Sequence, residues 1–231
     1  MKVEERTLAL ETSNVKLVEQ QTQLVEKNSH IETLMNEVSR RVKNNLEMLY
    51  NLNTLQLPLI QDKKSKQILN EMRSRIKAMI MANEHLHNYK TDQSVTLSNF
   101  INEISVHFQQ IYDPNKQIEI TAVVPEDFKL SAAEALPFGL LLTELFTNAY
   151  KHAFTSLHSK PQIKLTLFIL DQQLRFSFED NGQGADHYIR NNSMGITLIQ
   201  DRTRQLKSTV TIQHQNGFSY QFIFSNNNHY A

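Results

Sequence analysis

The sequence predicts an α plus α/β protein: a helical N-terminal part, then a mixed sheet with helices packed on one face. Three observations carry this. Apolar residues recur every seven positions from Leu10 to Val38 in a stretch without glycine or proline, which is a coiled-coil seam. A second helical rhythm, from Leu34 to Leu52, ends at Pro58 and is answered by another apolar stripe after a short polar loop. Beyond Leu97 the pattern changes to helical runs alternating with strand-like ones.

The first element is a polar helix over residues 1–32. Its seam is Leu10, Leu17, Leu24, Ile31 and Val38, with companions Asn14, Gln21, Asn28, Met35 and Val42 four positions further on. Half of the seam is therefore polar at first and apolar only later. Polar seam residues cost stability but favour one register, as suits a signalling helix that leads into a firmer bundle. Residues 33–90 read as a helical hairpin. Its first helix carries Leu34, Val38, Val42, Leu46, Leu49 and Leu52 and stops at Pro58. After Asp62-Lys63-Lys64 the second carries Ile68, Leu69, Met72, Ile76, Met79, Ile80 and Leu86 and ends near Tyr89. A loop this short predicts antiparallel packing of the two helices. One hairpin has little apolar surface to bury alone, so the expectation is a dimeric four-helix bundle and a homodimer.

Residues 95–226 form the third part. Helices are predicted over 97–111, 132–155 and 194–207, and strands over 117–123, 162–170, 173–179, 208–214 and 218–224. Gln172-Gln173 and Asn216-Gly217 supply hairpin turns. Pro137 and Gly139 fall early in the second helix and blur where it starts.

Composition excludes some classes. Lys plus Arg and Asp plus Glu are 24 each, so no overall field draws the chain to nucleic acid or an anionic membrane. There is no cysteine, hence no disulfide frame or thiol chemistry. No apolar run approaches the roughly 18 residues of a membrane span, and no signal peptide stands out. The expectation is a cytoplasmic protein, or the soluble C-terminal part of a larger sensor.

Chemistry concentrates in two places. Glu144, Asn148 and His152 are four residues apart on one predicted helix, so they share a face, with Lys151 beside them. A carboxylate and an amide can hold Mg²⁺, which keeps some of its waters and takes other ligands from phosphates. Asp180-Asn181-Gly182-Gln183-Gly184 follows a predicted strand; its glycines let a ligand approach the backbone, and Asp180 offers an acceptor to an amino group such as that of adenine. Here the sequence resembles the ATP-binding domain of the histidine kinase, gyrase, Hsp90 and MutL superfamily (GHKL). Glu144 to Phe154 is similar to its N box and Asp180 to Gly184 to its first glycine box. Ser193-Met194-Gly195-Ile196 is similar to the second glycine box, and Gly217 to the last. The resemblance implies a two-layer α/β sandwich ATPase domain with ATP and Mg²⁺ as cofactors. It implies that Glu144 polarises the magnesium shell, Asn148 binds the ion, Lys151 reaches the phosphates and Asp180 reads adenine. His152, Gly182, Gly184, Ser193, Met194 and Gly195 would line the nucleotide, and residues 185–192 would form a lid. The helix starting near Met194 would offer backbone N–H groups to phosphate.

The second place is Glu37-Val-Ser-Arg40-Arg41-Val-Lys-Asn44-Asn45-Leu46, with Arg73-Ser-Arg75-Ile76-Lys77 in the following helix. Both resemble the dimerisation hairpin of the sensor histidine kinase subfamily related to the HWE kinases, although the chain lacks the Trp of the HWE motif. In that pattern a phosphoacceptor histidine directly precedes Arg-Val-Lys-Asn-Asn; here the position holds Arg40. An imidazole nitrogen is nucleophilic near neutral pH, whereas a guanidinium stays protonated and has no lone pair to offer. The resemblance therefore implies a two-component signalling protein that binds Mg-ATP but has lost autophosphorylation at the usual position, with a response-regulator receiver domain as partner. Two other readings stand beside it: an active kinase that phosphorylates another histidine or a partner in trans, and a receiver-binding module in which Arg40 plugs an acidic cluster without phosphotransfer.

Overall fold

The computed structural model describes residues 2–86, 94–154, 160–170, 173–184, 194–214 and 217–224. The chain divides into two units, one up to Asn44 and one from Asn45 onward. Helix α1 (Lys2–Gln56) has no break at the boundary expected near residue 33, as its lack of glycine and proline allows. Within the first unit Leu10, Leu17, Leu24, Ile31 and Val38 are all exposed, because one strand of a coil cannot bury its own seam. Threonine hydroxyls in this stretch are satisfied locally: Thr22 and Thr33 donate to the carbonyls of Val18 and Ser29 at 2.9 Å.

The second unit starts with the end of α1. Pro58 lies in a 3₁₀ turn (Leu57–Leu59) directly after it, where its missing N–H and fixed φ stop the helix. Asp62 then accepts the Ser65 N–H at 2.7 Å and opens α2 (Lys63–Leu86). Helix α2 packs along α4 (Ala132–Asn148) and α3 (Leu97–Tyr112). The reason is the distribution of apolar surface. Ile76, Ala78, Ile80, Met81 and Ala82 of α2 are buried, whereas Leu49, Leu52 and Leu55 of α1 and Ile68 and Met72 of α2 stay exposed. Gly139 permits the approach, since a Cβ there would lie 2.8 Å from the Phe100 ring and 3.8 Å from the Ala78 carbonyl. The predicted end near Tyr89 lies outside the described residues.

The α/β part has the predicted elements at nearly the predicted positions. Strands β2 (Glu119–Val123), β4 (Gln162–Leu170), β5 (Gln173–Asp180), β6 (Ser208–Gln213) and β7 (Ser219–Phe224) form one sheet in the order β2-β4-β5-β7-β6. Only β2 and β4 run parallel; the other neighbours are antiparallel. A second small sheet pairs β1 (Ser94–Thr96) with β3 (Lys129–Ser131) and has no counterpart in the sequence reading. Alternation places Ile163, Leu165 and Leu167 of β4 and Leu174, Phe176 and Phe178 of β5 inside. There they meet α3, α4 and α5 (Met194–Gln205) in one core. Phe146 joins the layers, its ring centroid 5.1 Å from Phe178 and 5.2 Å from Phe108. Ser131 starts α4, its N–H and hydroxyl both donating to Glu134, at 3.0 and 2.6 Å. The helix predicted over 132–155 is α4 followed by a π turn over Ala149–Ala153. Among the described residues, no helix is long and apolar enough to cross a membrane.

Candidate nucleotide site

Helix α4 brings Glu144 and Asn148 to the end of the sheet where β5 finishes at Asp180. Asn148 closes the regular helix, and the wider π turn after it holds Lys151 and His152. Single π turns of this kind are frequent at functional sites. Phe154 then turns extended and the helix stops.

The Asp180–Gly184 turn docks against this helix end. Asp180 is buried, and its Oδ1 accepts the N–H groups of Gly182 at 3.0 Å and Phe218 at 3.2 Å. Gln183 donates its N–H to the Ala153 carbonyl at 2.9 Å and its side-chain amide to the His152 carbonyl at 3.1 Å. Gly182 can only be glycine, because a Cβ would fall 2.3 Å from the Ala153 oxygen. Gly184 and Gly217 adopt φ of +67° and +107°, and a Cβ on Gly217 would reach 2.0 Å from the Asp180 oxygen. Gly195, at the start of α5, leaves room over Asn148: its missing Cβ would lie 3.4 Å from Asn148 Oδ1. Burial pushes the Tyr220 hydroxyl up to about 12, partly offset by the Asn148 amide beside it. His152 is exposed, and desolvation and the Lys151 cation lower its pKa.

Two predicted residues have partners that spacing did not announce. Arg75 of α2 grips Glu144 with both ends of its fork, Nε to Oε1 at 2.6 Å and Nη2 to Oε2 at 3.1 Å. Glu144 is only 5% exposed, so the pair is largely desolvated, and the bond to Glu144 raises the Arg75 pKa despite burial. Lys151 is ion-paired with Glu71, one turn before Arg75 on α2. Sequence reasoning noticed Arg75 only as part of a resemblance; charge alternation on α2 was the available signal.

The remaining predicted residues distribute as follows. Arg40 belongs to the first unit, where Nε and Nη2 bind both oxygens of Glu37 at 2.8–3.0 Å. Arg41 shares the same carboxylate at 2.7 Å, and the two cations hold the Glu37 pKa below its usual value. Met194 opens α5. Ser193 and the expected lid over 185–192 lie outside the described residues. The described residues contain no group of three or more His, Asp or Glu able to hold a metal by themselves. A magnesium site with one amide and one carboxylate, completed by water and phosphate, needs no such group.

The family model HisKA_2, described as histidine kinase, matches residues 37–112. That match spans about a third of the chain. The matched residues cover the end of α1, all of α2, β1 and α3, and so include both Arg40 and Arg75. The fold agrees. The histidine kinase domain of the Erythrobacter litoralis EL346 blue-light activated histidine kinase superposes with a TM-score of 0.61 at 18% identity, covering 84% of this chain and 94% of that one. A longer structure of the same Erythrobacter litoralis protein gives 0.59 at 18% identity, covering 80% of this chain and 60% of that one. The chain thus spans less than two thirds of the longer structure. No curated protein matches the sequence.

Proposed function

We propose that this chain is a two-component signalling protein of sensor histidine kinase type that binds Mg-ATP and does not phosphorylate itself at the usual position. The observation that carries the reading is the meeting of Asn148, Asp180 and the backbones of Gly182, Gly195 and Gly217 at one end of the sheet, where Gly182 and Gly217 let the turn close on Ala153 and Asp180 and Gly195 leaves room over Asn148. Asp180 would accept from the adenine amino group, and the N-terminus of α5 would face the phosphates. Asn148 would hold Mg²⁺ with Glu144 orienting a water of its shell, and the ion would neutralise charge on the phosphates. Lys151 would contact the phosphates directly.

Arg40 supports the second half of the reading. It lies within the matched residues, exposed and bound to Glu37; the resemblance in sequence puts the acceptor there, and the Arg40 guanidinium has no nucleophilic nitrogen at neutral pH. The exposed seam of α1 and the family segment support a homodimer that engages a response-regulator receiver.

The test is autophosphorylation with γ-labelled Mg-ATP, comparing the native chain with Arg40→His. The expected result is no label on the first and acid-labile label on the second. Acid-labile label on the native chain would show that another histidine accepts, and the reading of Arg40 would be wrong.

A further inference from the structure

Two ion pairs tie α2 to the very groups on which the Mg-ATP reading depends. Arg75 covers both oxygens of Glu144, and Glu71 holds the Lys151 ammonium. The charges copy those of a bound nucleotide: a cation against the carboxylate, an anion against the ammonium. Glu71 and Arg75 lie one turn apart on one face of α2, and Glu144 and Lys151 lie two turns apart at the end of α4. We infer that the first half of α2 is a built-in competitor for the metal-and-phosphate end of the nucleotide site, with Arg75 in place of the metal shell and Glu71 in place of a phosphate oxygen. The inference rests on the Mg-ATP reading above.

A second feature marks this stretch of α2 as releasable. Among the described residues, Asn70 Oδ1 and Arg73 Nε of α2 are buried without hydrogen-bond partners, as are His107 Nε2 of α3 and the Tyr150 hydroxyl of the π turn. Buried polar atoms left unpaired oppose packing. Of the apolar residues on the same stretch, Ile68 and Met72 stay exposed and Leu69 is partly buried. The second half of α2 is different: Ile76, Ala78, Ile80, Met81 and Ala82 are buried. Residues 63–75 thus bury less apolar surface than 76–86, so the first stretch can lift while the second remains docked. Competition for one site makes the coupling reciprocal. A force that lifts the first half of α2 frees Glu144 and Lys151 for Mg-ATP, and Mg-ATP in turn displaces α2.

The decisive variant is Glu71→Gln, nearly isosteric and without the competing charge; Arg75→Gln is the companion, at greater risk to folding because it strands Glu144. Both are compared with the native chain by calorimetric titration with Mg-ATP, each checked by circular dichroism. The expected result is a Kd tightened about 5-fold to 50-fold in Glu71→Gln, together with faster hydrogen exchange over residues 66–75 of the native chain when Mg-ATP is bound. Native chain silent and Glu71→Gln binding would be the strongest form of that result. An unchanged or weaker Kd in folded Glu71→Gln would overturn the competitor role and leave nucleotide binding standing. No binding by any of the three would overturn the nucleotide reading itself, and the competitor with it.

Discussion

His107 of α3 is buried beside Tyr50, with its Nε2 lacking a partner. Burial, with smaller contributions from Lys77 and Arg73, lowers its pKa to about 4. An unfolded histidine titrates near about 6.5, so between these values the folded chain binds fewer protons than the unfolded one. Stability is then full above that range, falls as the pH drops through it, and levels off below it. Urea unfolding between pH 7.5 and 4.5 should show this loss, on the order of 3 kcal/mol, and His107→Phe should flatten it. An equal slope in the variant would assign the loss to other groups. Gly217 poses a steric question of the same scale. Ala at that position would need φ of +107° and would press its Cβ to 2.0 Å from the Asp180 oxygen. Gly217→Ala should therefore cost on the order of 2–3 kcal/mol in chemical denaturation. A loss below about 0.5 kcal/mol would mean the turn can relax around a side chain.

At the scale of elements, α1, α3, α4, α5 and the five main strands were legible because each repeats its own period, 3.5 to 3.6 or 2, over a long enough run. The β1–β3 pair was not, since three-residue strands carry no period to read. The π turn was not either, because one extra residue per turn leaves the apolar spacing of Ala149 and Ala153 helical. The partner of α2 escaped for another reason. Loop length limits which helices can meet, but the larger buried surface decides which do, and here α4 and α3 offer it. Gly139 is the point at which that choice can be tested. Gly139→Ala places a methyl 2.8 Å from the Phe100 ring, an overpacking that should cost about 1–3 kcal/mol although alanine is the better helix former. A gain in the thermal midpoint would show that propensity outweighs packing there.

For the whole molecule, a ligand that binds only the folded chain stabilises it by mass action. Mg-ATP at 100 times its Kd should add about 2.7 kcal/mol in denaturant titration of the native chain. Asp180→Asn should abolish that gain, because the adenine contact is lost; an equal gain in the variant would remove Asp180 from the site. The candidate site was legible in the residues whose roles are local. Glu144 and Asn148 share a face by spacing alone, and the glycines of the Asp180 turn signal a backbone that must be approached closely. What the glycines approach was not legible: Gly182 meets the Ala153 carbonyl, and Gly217 meets Asp180. Nor was the pairing of Glu144 with Arg75, 69 residues earlier. By itself the sequence determined the elements, their order and the match to the family model over 37–112. Only the tertiary structure decided which charges meet, that α2 lies on α4, and that Glu144 and Lys151 are already engaged. Periodicity is a property of neighbouring residues and survives in the sequence, whereas ion pairs between distant helices exist only once the core between them has closed.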